Sequence, residues 1–238
     1  MSIILTKITI KKEYILKKLI LIVLLSIMTY AQNLPTNSIV KLHTSTSSSD
    51  YKFPWQTSKI FRYVGSGAII EGNRILTSAH VVSGAKFLEV QKENDPKKYI
   101  ATVKFISHQS DLAIVEVVDK NFFNGTKALK LNEKVKTRDE ITVLGYPIGG
   151  QTISTTTGII SRIEYTSYVW SGESLLAIQV DAAINSGNSG GPAINKDNNI
   201  VGIAMMSLTN ASNISYIVPS VIINTFLEDI KDGKVDGF

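Results

Sequence analysis

The chain is broken into short runs of β-branched and aromatic residues, and this rhythm constrains its fold more than any other feature. Ser38 to His43, Tyr63 to Glu71, Arg74 to Ser78, Phe87 to Lys92 and Tyr99 to Ser107 read as strands. Leu112 to Val118, Glu140 to Gly145, Ser154 to Ile163, Leu175 to Asp181 and Ile200 to Met206 continue the series. Turn formers such as Glu71-Gly72-Asn73 and Lys196-Asp197-Asn198-Asn199 punctuate it. Many short strands with regular turns predict an all-β sandwich or barrels. Thr44 to Asp50, rich in Ser and Thr, reads as a surface loop. One helix is expected over 219–232. Pro219 opens it, Ile222, Ile223, Phe226, Leu227 and Ile230 share a face, and Gly233 ends it.

The first 31 residues read as an address. A basic segment from Lys11 to Lys18 precedes an uncharged apolar run from Leu19 to Met28, and Thr29-Tyr30-Ala31 follows with small residues where a signal peptidase reads. The run is about ten residues, short of the ~20 that span a bilayer. Cleavage after Ala31 is expected, with an uncleaved anchor as the alternative, so the membrane is met only in transit. The leader also carries the charge. The whole chain has 25 basic and 20 acidic residues. Without the five lysines and one glutamate of 1–31, 20 basic and 19 acidic remain. A nearly neutral body offers no electrostatic case for nucleic acid. The polar stretch 126–139 reads as a linker between halves at 32–125 and 140–218.

Cysteine is absent, which removes disulfides, thiol nucleophiles and cysteine-based metal sites. No metal or organic cofactor is expected. Three histidines, His43, His80 and His108, limit any imidazole chemistry. Gly187-Asn188-Ser189-Gly190-Gly191-Pro192 is the most informative segment. Glycines around a serine let the backbone turn sharply, expose the hydroxyl and aim N–H groups into one concavity, as an oxyanion beside a nucleophile requires. A serine hydroxyl needs a base. His80, after the Arg74 to Ser78 strand, supplies it, with His108 and His43 as rivals. Asp111, before an apolar strand, supplies the orienting carboxylate. His80, Asp111, Ser189 is one of the orders in which the Ser-His-Asp arrangement occurs, and it puts the site between two β units.

Together these segments resemble the trypsin-like serine proteases, and more closely the HtrA/Deg family. The strings that carry the resemblance are Gly65-Ser66-Gly67-Ala68-Ile69-Ile70, Ile75-Leu76-Thr77-Ser78-Ala79-His80-Val81-Val82, Ser110-Asp111-Leu112-Ala113 and Asp181 through Pro192. Val143 through Gly150 and Pro54-Trp55-Gln56 are also similar. The resemblance implies two six-stranded β-barrels, here with a C-terminal helix, and hydrolysis of unfolded or exposed polypeptide in protein quality control. It makes Ser189 the nucleophile, His80 the general base and Asp111 its orienter. The oxyanion hole falls on the turn Gly187, Asn188, Ser189, with the Gly187 and Ser189 N–H groups as donors. Asn188 stands where digestive relatives carry an Asp that pairs with a cut N-terminus, so no such activation is expected.

The resemblance places Ala183, Ile184 and Asn185 on one wall of the primary specificity pocket and Met205, Met206 and Ser207 on the other. No acid lies at its base, which predicts a small apolar pocket for Val, Ala, Ile or Leu. Asp181 reads as a structural hydrogen bonder. Met205 departs from the family pattern, because a Ser or Thr there usually donates to the catalytic Asp. No PDZ domain is expected after the final helix. The resemblance also implies a homotrimer built through aromatics such as Tyr51, Phe53 and Trp55. Tyr165, Tyr168 and Trp170 are expected on a loop of the second half. Two other functions remain open: a narrow-specificity secreted protease, and a chaperone-like binder with a latent triad.

Overall fold

The computed structural model describes residues 34–47, 52–53, 55, 59–168, 172–207 and 213–237, together with Tyr14, Lys17 and Lys18. The chain divides into two units, 1–34 and 35–238. In the first, Tyr14, Lys17 and Lys18 are helical, and Lys18 Nζ lies 5.1 Å from the Tyr14 ring centre. The cleavage site at Ala31 and the residues Tyr51, Pro54, Gln56 and Trp170 lie outside the described residues. No helix among the described residues is long and apolar enough to cross a membrane.

Among the described residues, the second unit holds twelve strands in two closed antiparallel barrels. In the first barrel β1 (Ile39–Ser47), β2 (Ile60–Ile70), β3 (Arg74–Thr77), β4 (Ala85–Lys92), β5 (Lys98–Ser107) and β6 (Leu112–Val117) close in the order β1-β2-β3-β6-β5-β4. In the second, β7 (Glu140–Gly145), β8 (Ser154–Ser167), β9 (Ser174–Val180), β10 (Pro192–Ile194), β11 (Ile200–Ser207) and β12 (Ser215–Pro219) close as β10-β11-β12-β9-β8-β7. Closure leaves no strand edge to pair with another chain. The barrels, rather than a sandwich, thus resolve what strand rhythm alone left open.

Inward side chains fill each barrel. Val40, Leu42, Ile75, Val90, Val115 and Phe122 form the first core. Ile141, Val143, Ile160, Ile178, Val180 and Ile217 form the second. Each such side chain contributes about 1.5–3 kcal/mol on burial. With no cysteine to staple it, the fold is held by this packing and its ladders. Helix α1 (Ala79–Val82) follows β3, and α2 (Ser220–Asp229) follows β12 with Pro219 at its N-cap.

Several boundaries differ from the sequence reading. The expected loop from Thr44 is instead strand as far as Ser47, because residues through Ser47 pair with β2. Tyr165, expected on a loop, lies within β8 and is exposed. β10 and β12 have no counterpart among the ten sequence-derived strands. They are three and five residues long and buried throughout, so no alternation marks them.

Candidate active site

His80 and Asp111 meet because β3 and β6 are paired. Ile75 faces Val115 and Thr77 faces Ala113, so the residues just beyond Thr77 and just before Leu112 emerge side by side. The Ala79 N–H donates to the Asp111 carbonyl at 3.0 Å, and the His80 N–H donates to Asp111 Oδ1 at 2.9 Å. The imidazole Nδ1 stands 2.8 Å from Oδ2 and 3.0 Å from Oδ1. The Asp111 side chain is 1% exposed and that of His80 17%. The acid is therefore sealed while the ring stays partly exposed. Asp111 has φ +54, a left-handed conformation that Asp tolerates better than most residues. Strain of this kind is held in place by the hydrogen bonds around it.

Ser189 comes from the other barrel, on the turn between β9 and β10. Ser66 on β2 ties that turn to the first barrel. Its N–H donates to the Ser189 carbonyl at 2.9 Å, and its hydroxyl donates to the Gly187 carbonyl at 2.7 Å. The same hydroxyl accepts the Tyr146 N–H at 2.8 Å. The Ala204 carbonyl receives both the Gly190 N–H at 2.9 Å and the Ser78 hydroxyl at 3.0 Å. One carbonyl thus joins the residue after Ser189 to the residue two before His80. Gly187 must be glycine: its φ is +100, and a Cβ there would lie 2.4 Å from the Tyr146 carbonyl.

The Ser186 carbonyl accepts the Ile148 N–H at 2.9 Å. The Asn188 N–H donates to the Asn185 carbonyl at 2.9 Å. Asn188 belongs to the turn expected to form the oxyanion hole, and its own N–H is committed in this way. Among the described residues the Gly187 and Ser189 N–H groups have no protein acceptor.

The other histidines lie elsewhere. His43 on β1 pairs through Nε2 with Gln91 Oε1 at 3.0 Å, and its pKa is lowered by burial, which the Gln91 bond partly opposes. His108 is exposed on the turn before β6. Of the residues expected around a specificity pocket, Ile184 and Met205 are buried, Met206 is partly exposed, and Ala183, Asn185 and Ser207 are exposed. Ile184 turns into the second core, and its N–H donates to the Ser215 hydroxyl at 3.3 Å. Ser215 pairs with Ser207, so that hydroxyl joins the two strips. Asp181 accepts the Ile159 N–H at 2.6 Å. Among the described residues no three His, Asp or Glu side chains gather as a metal site.

Two contributors escaped the sequence reading. Ser66 was visible only as part of a Gly-Ser-Gly string, and nothing local marks its reach across the barrels. The sequence offers Tyr168 only as one of several loop aromatics. Tyr168 is buried, and its hydroxyl stands 3.3 Å from His80 Nδ1.

A family model described as trypsin-like peptidase domain matches residues 65–203. Protease Do-like 4, mitochondrial, of Arabidopsis thaliana is 44% identical over 203 residues, covering 85% of this chain and 39% of that protein. Protease Do-like 2, chloroplastic, of the same plant is 38% identical over 205 residues, covering 85% and 34%. The chain thus spans well under half the length of these relatives. Among solved structures, the HtrA-type protease AlgW with decapeptide has a similar fold, with a TM-score of 0.69 at 24% identity, covering 84% of this chain and 66% of that one.

Proposed function

From the premise that this chain belongs to the trypsin-like peptidase family, as an HtrA/Deg protease domain, we propose that it is a serine endopeptidase working by a Ser-His-Asp acyl-enzyme mechanism. The observation that carries the reading is the sealed Asp111 carboxylate 2.8 Å from His80 Nδ1, beside the Ser189 turn that Ser66 holds. Nδ1 donates to Asp111, which leaves Nε2 of His80 to accept the Ser189 proton as its oxygen attacks the scissile carbonyl. Asp111 stays ionised and stabilises the imidazolium, which returns the proton to the leaving amine. Water then repeats the sequence to free the acyl group.

The developing oxyanion is received by the Gly187 and Ser189 N–H groups. Loss of one such donor typically costs about 10²–10³-fold in turnover. The substrate is unfolded or exposed polypeptide, in protein quality control, with a small apolar residue before the scissile bond. The apolar side chains of Ala183 and Met206 support that preference. Residues 1–31 are an export signal, and N-terminal sequencing of the exported chain is expected to start at Gln32; a start at Met1 overturns export with cleavage.

The test of the activity is degradation of casein by the purified chain beside Ser189→Ala. We expect cleavage by the first, after Val, Ala, Ile or Leu, and a loss on the order of 10⁶-fold in the second. Equal cleavage by both sinks the mechanism, and cuts after Arg or Glu sink the pocket.

A further inference from the structure

Tyr168 follows the last residue of β8 and brings a hydroxyl from the second barrel to the acid–base pair of the first. Its hydroxyl is 3.3 Å from His80 Nδ1, and the residue is 1% exposed, like Asp111 beside it. Nδ1 carries one proton, and Asp111 takes it at the shorter distance of 2.8 Å. The phenol is therefore left with its own proton to place. The neighbouring acceptor is Asp111, whose Oδ2 stands 2.8 Å from the same Nδ1. A carboxylate offers about four lone-pair sites, and this one already receives the His80 N–H and ring.

We propose that Tyr168 is a positioning residue for the proposed reaction, its hydroxyl donating to Asp111 and holding the carboxylate against His80. The inference rests on the serine peptidase reading above.

Three further observations support it. Burial first, and then the charge and hydrogen bonding of Asp111, raise the Tyr168 pKa far above the ordinary phenol range, so the donor keeps its proton at working pH. The backbone of Tyr168 makes hydrogen bonds through both its N–H and its carbonyl. Its N–H donates to the Glu173 carbonyl at 2.9 Å, and its carbonyl accepts the Gly172 N–H at 2.8 Å. The backbone that carries the hydroxyl is thus fixed by these two bonds. Met205, buried on β11, has a thioether with no proton to donate.

The experiment compares the full chain with Tyr168→Phe, which removes one oxygen and keeps the ring. Hydrogen bonds to charged groups of this kind scale to about ten- to hundredfold, and kcat should fall by that much with KM nearly unchanged. Without the donated proton, Asp111 presents more negative charge to His80. The His80 titration, followed by NMR in both proteins, should therefore move to higher pH. An unchanged or increased kcat, an effect on KM alone, or coincident His80 titrations overturns the proposal.

If the wild-type chain cleaves nothing, the peptidase reading fails. The NMR titration needs no turnover and still decides whether Tyr168 acts on the pair. If Tyr168→Phe does not fold, 3-fluorotyrosine placed at 168 replaces it. A fluorine resonance that follows the His80 titration supports the contact, and one that ignores it overturns the contact.

Discussion

His43 and His80 have the same side chain and opposite settings. His80 has a buried carboxylate on Nδ1, whereas His43 has the neutral amide of Gln91 on Nε2. Burial dominates at His43 and lowers its pKa from 6.5. The sign of the linkage follows. Below the unfolded value the unfolded chain binds the proton more readily than the folded one, so stability falls as pH drops through about 6.5. His43→Gln keeps a polar side chain opposite Gln91 and removes the titration. Urea midpoints measured between about pH 5 and 7 should slope less steeply in that variant than in the parent. Equal slopes would show that His43 carries none of the acid sensitivity. Single residues were also where the sequence was most readable. His80, Asp111 and Ser189 each sit in a string whose chemistry is local. The left-handed backbone of Asp111 was not readable, because the residues that hold it, Ala79 and His80, lie in α1, about thirty positions earlier in the chain.

Among the elements, the connecting segment does more than link. The Leu129 N–H donates to the Ile69 carbonyl at 2.8 Å at the end of β2. The Asn132 N–H then donates to the Ile200 carbonyl at 2.8 Å, and the Ile200 N–H donates to the Lys130 carbonyl at 2.7 Å, at the start of β11. A stretch that reads as a polar linker is thus a strap hydrogen-bonded to both barrels. Its three apolar anchors, Leu129, Leu131 and Val135, are too few to register as a strand. The amides of Leu129, Asn132 and Ile200 should exchange with solvent as slowly as those of the barrel ladders. Fast exchange at Leu129 and Asn132 alone would mean that the strap opens by itself. The longer strands were legible because runs of β-branched and aromatic residues between turn formers mark them. β10 and β12 were not, because a short strand buried on both faces has no period to detect.

For the whole molecule, the local content of the chain was enough for the β class, the apolar runs, the glycine-rich turn and the candidate residues His80, Asp111 and Ser189. These follow from side-chain periodicity and from the backbone freedom that glycine alone supplies, both short-range properties. Closure into two barrels and the convergence of their ends are different in kind. They depend on pairings such as Thr77 with Ala113, 36 positions apart, and on Ser66 reaching Gly187 across 121 positions. So does the tie between the turn and the first barrel through the Ser66 N–H and the Ser189 carbonyl. Tyr168 shows the same division. Its string announces an aromatic ring, and only the meeting of β8's end with the β3–β6 corner puts its hydroxyl beside His80, because long-range contacts are specified by the folded backbone and not by neighbouring residues.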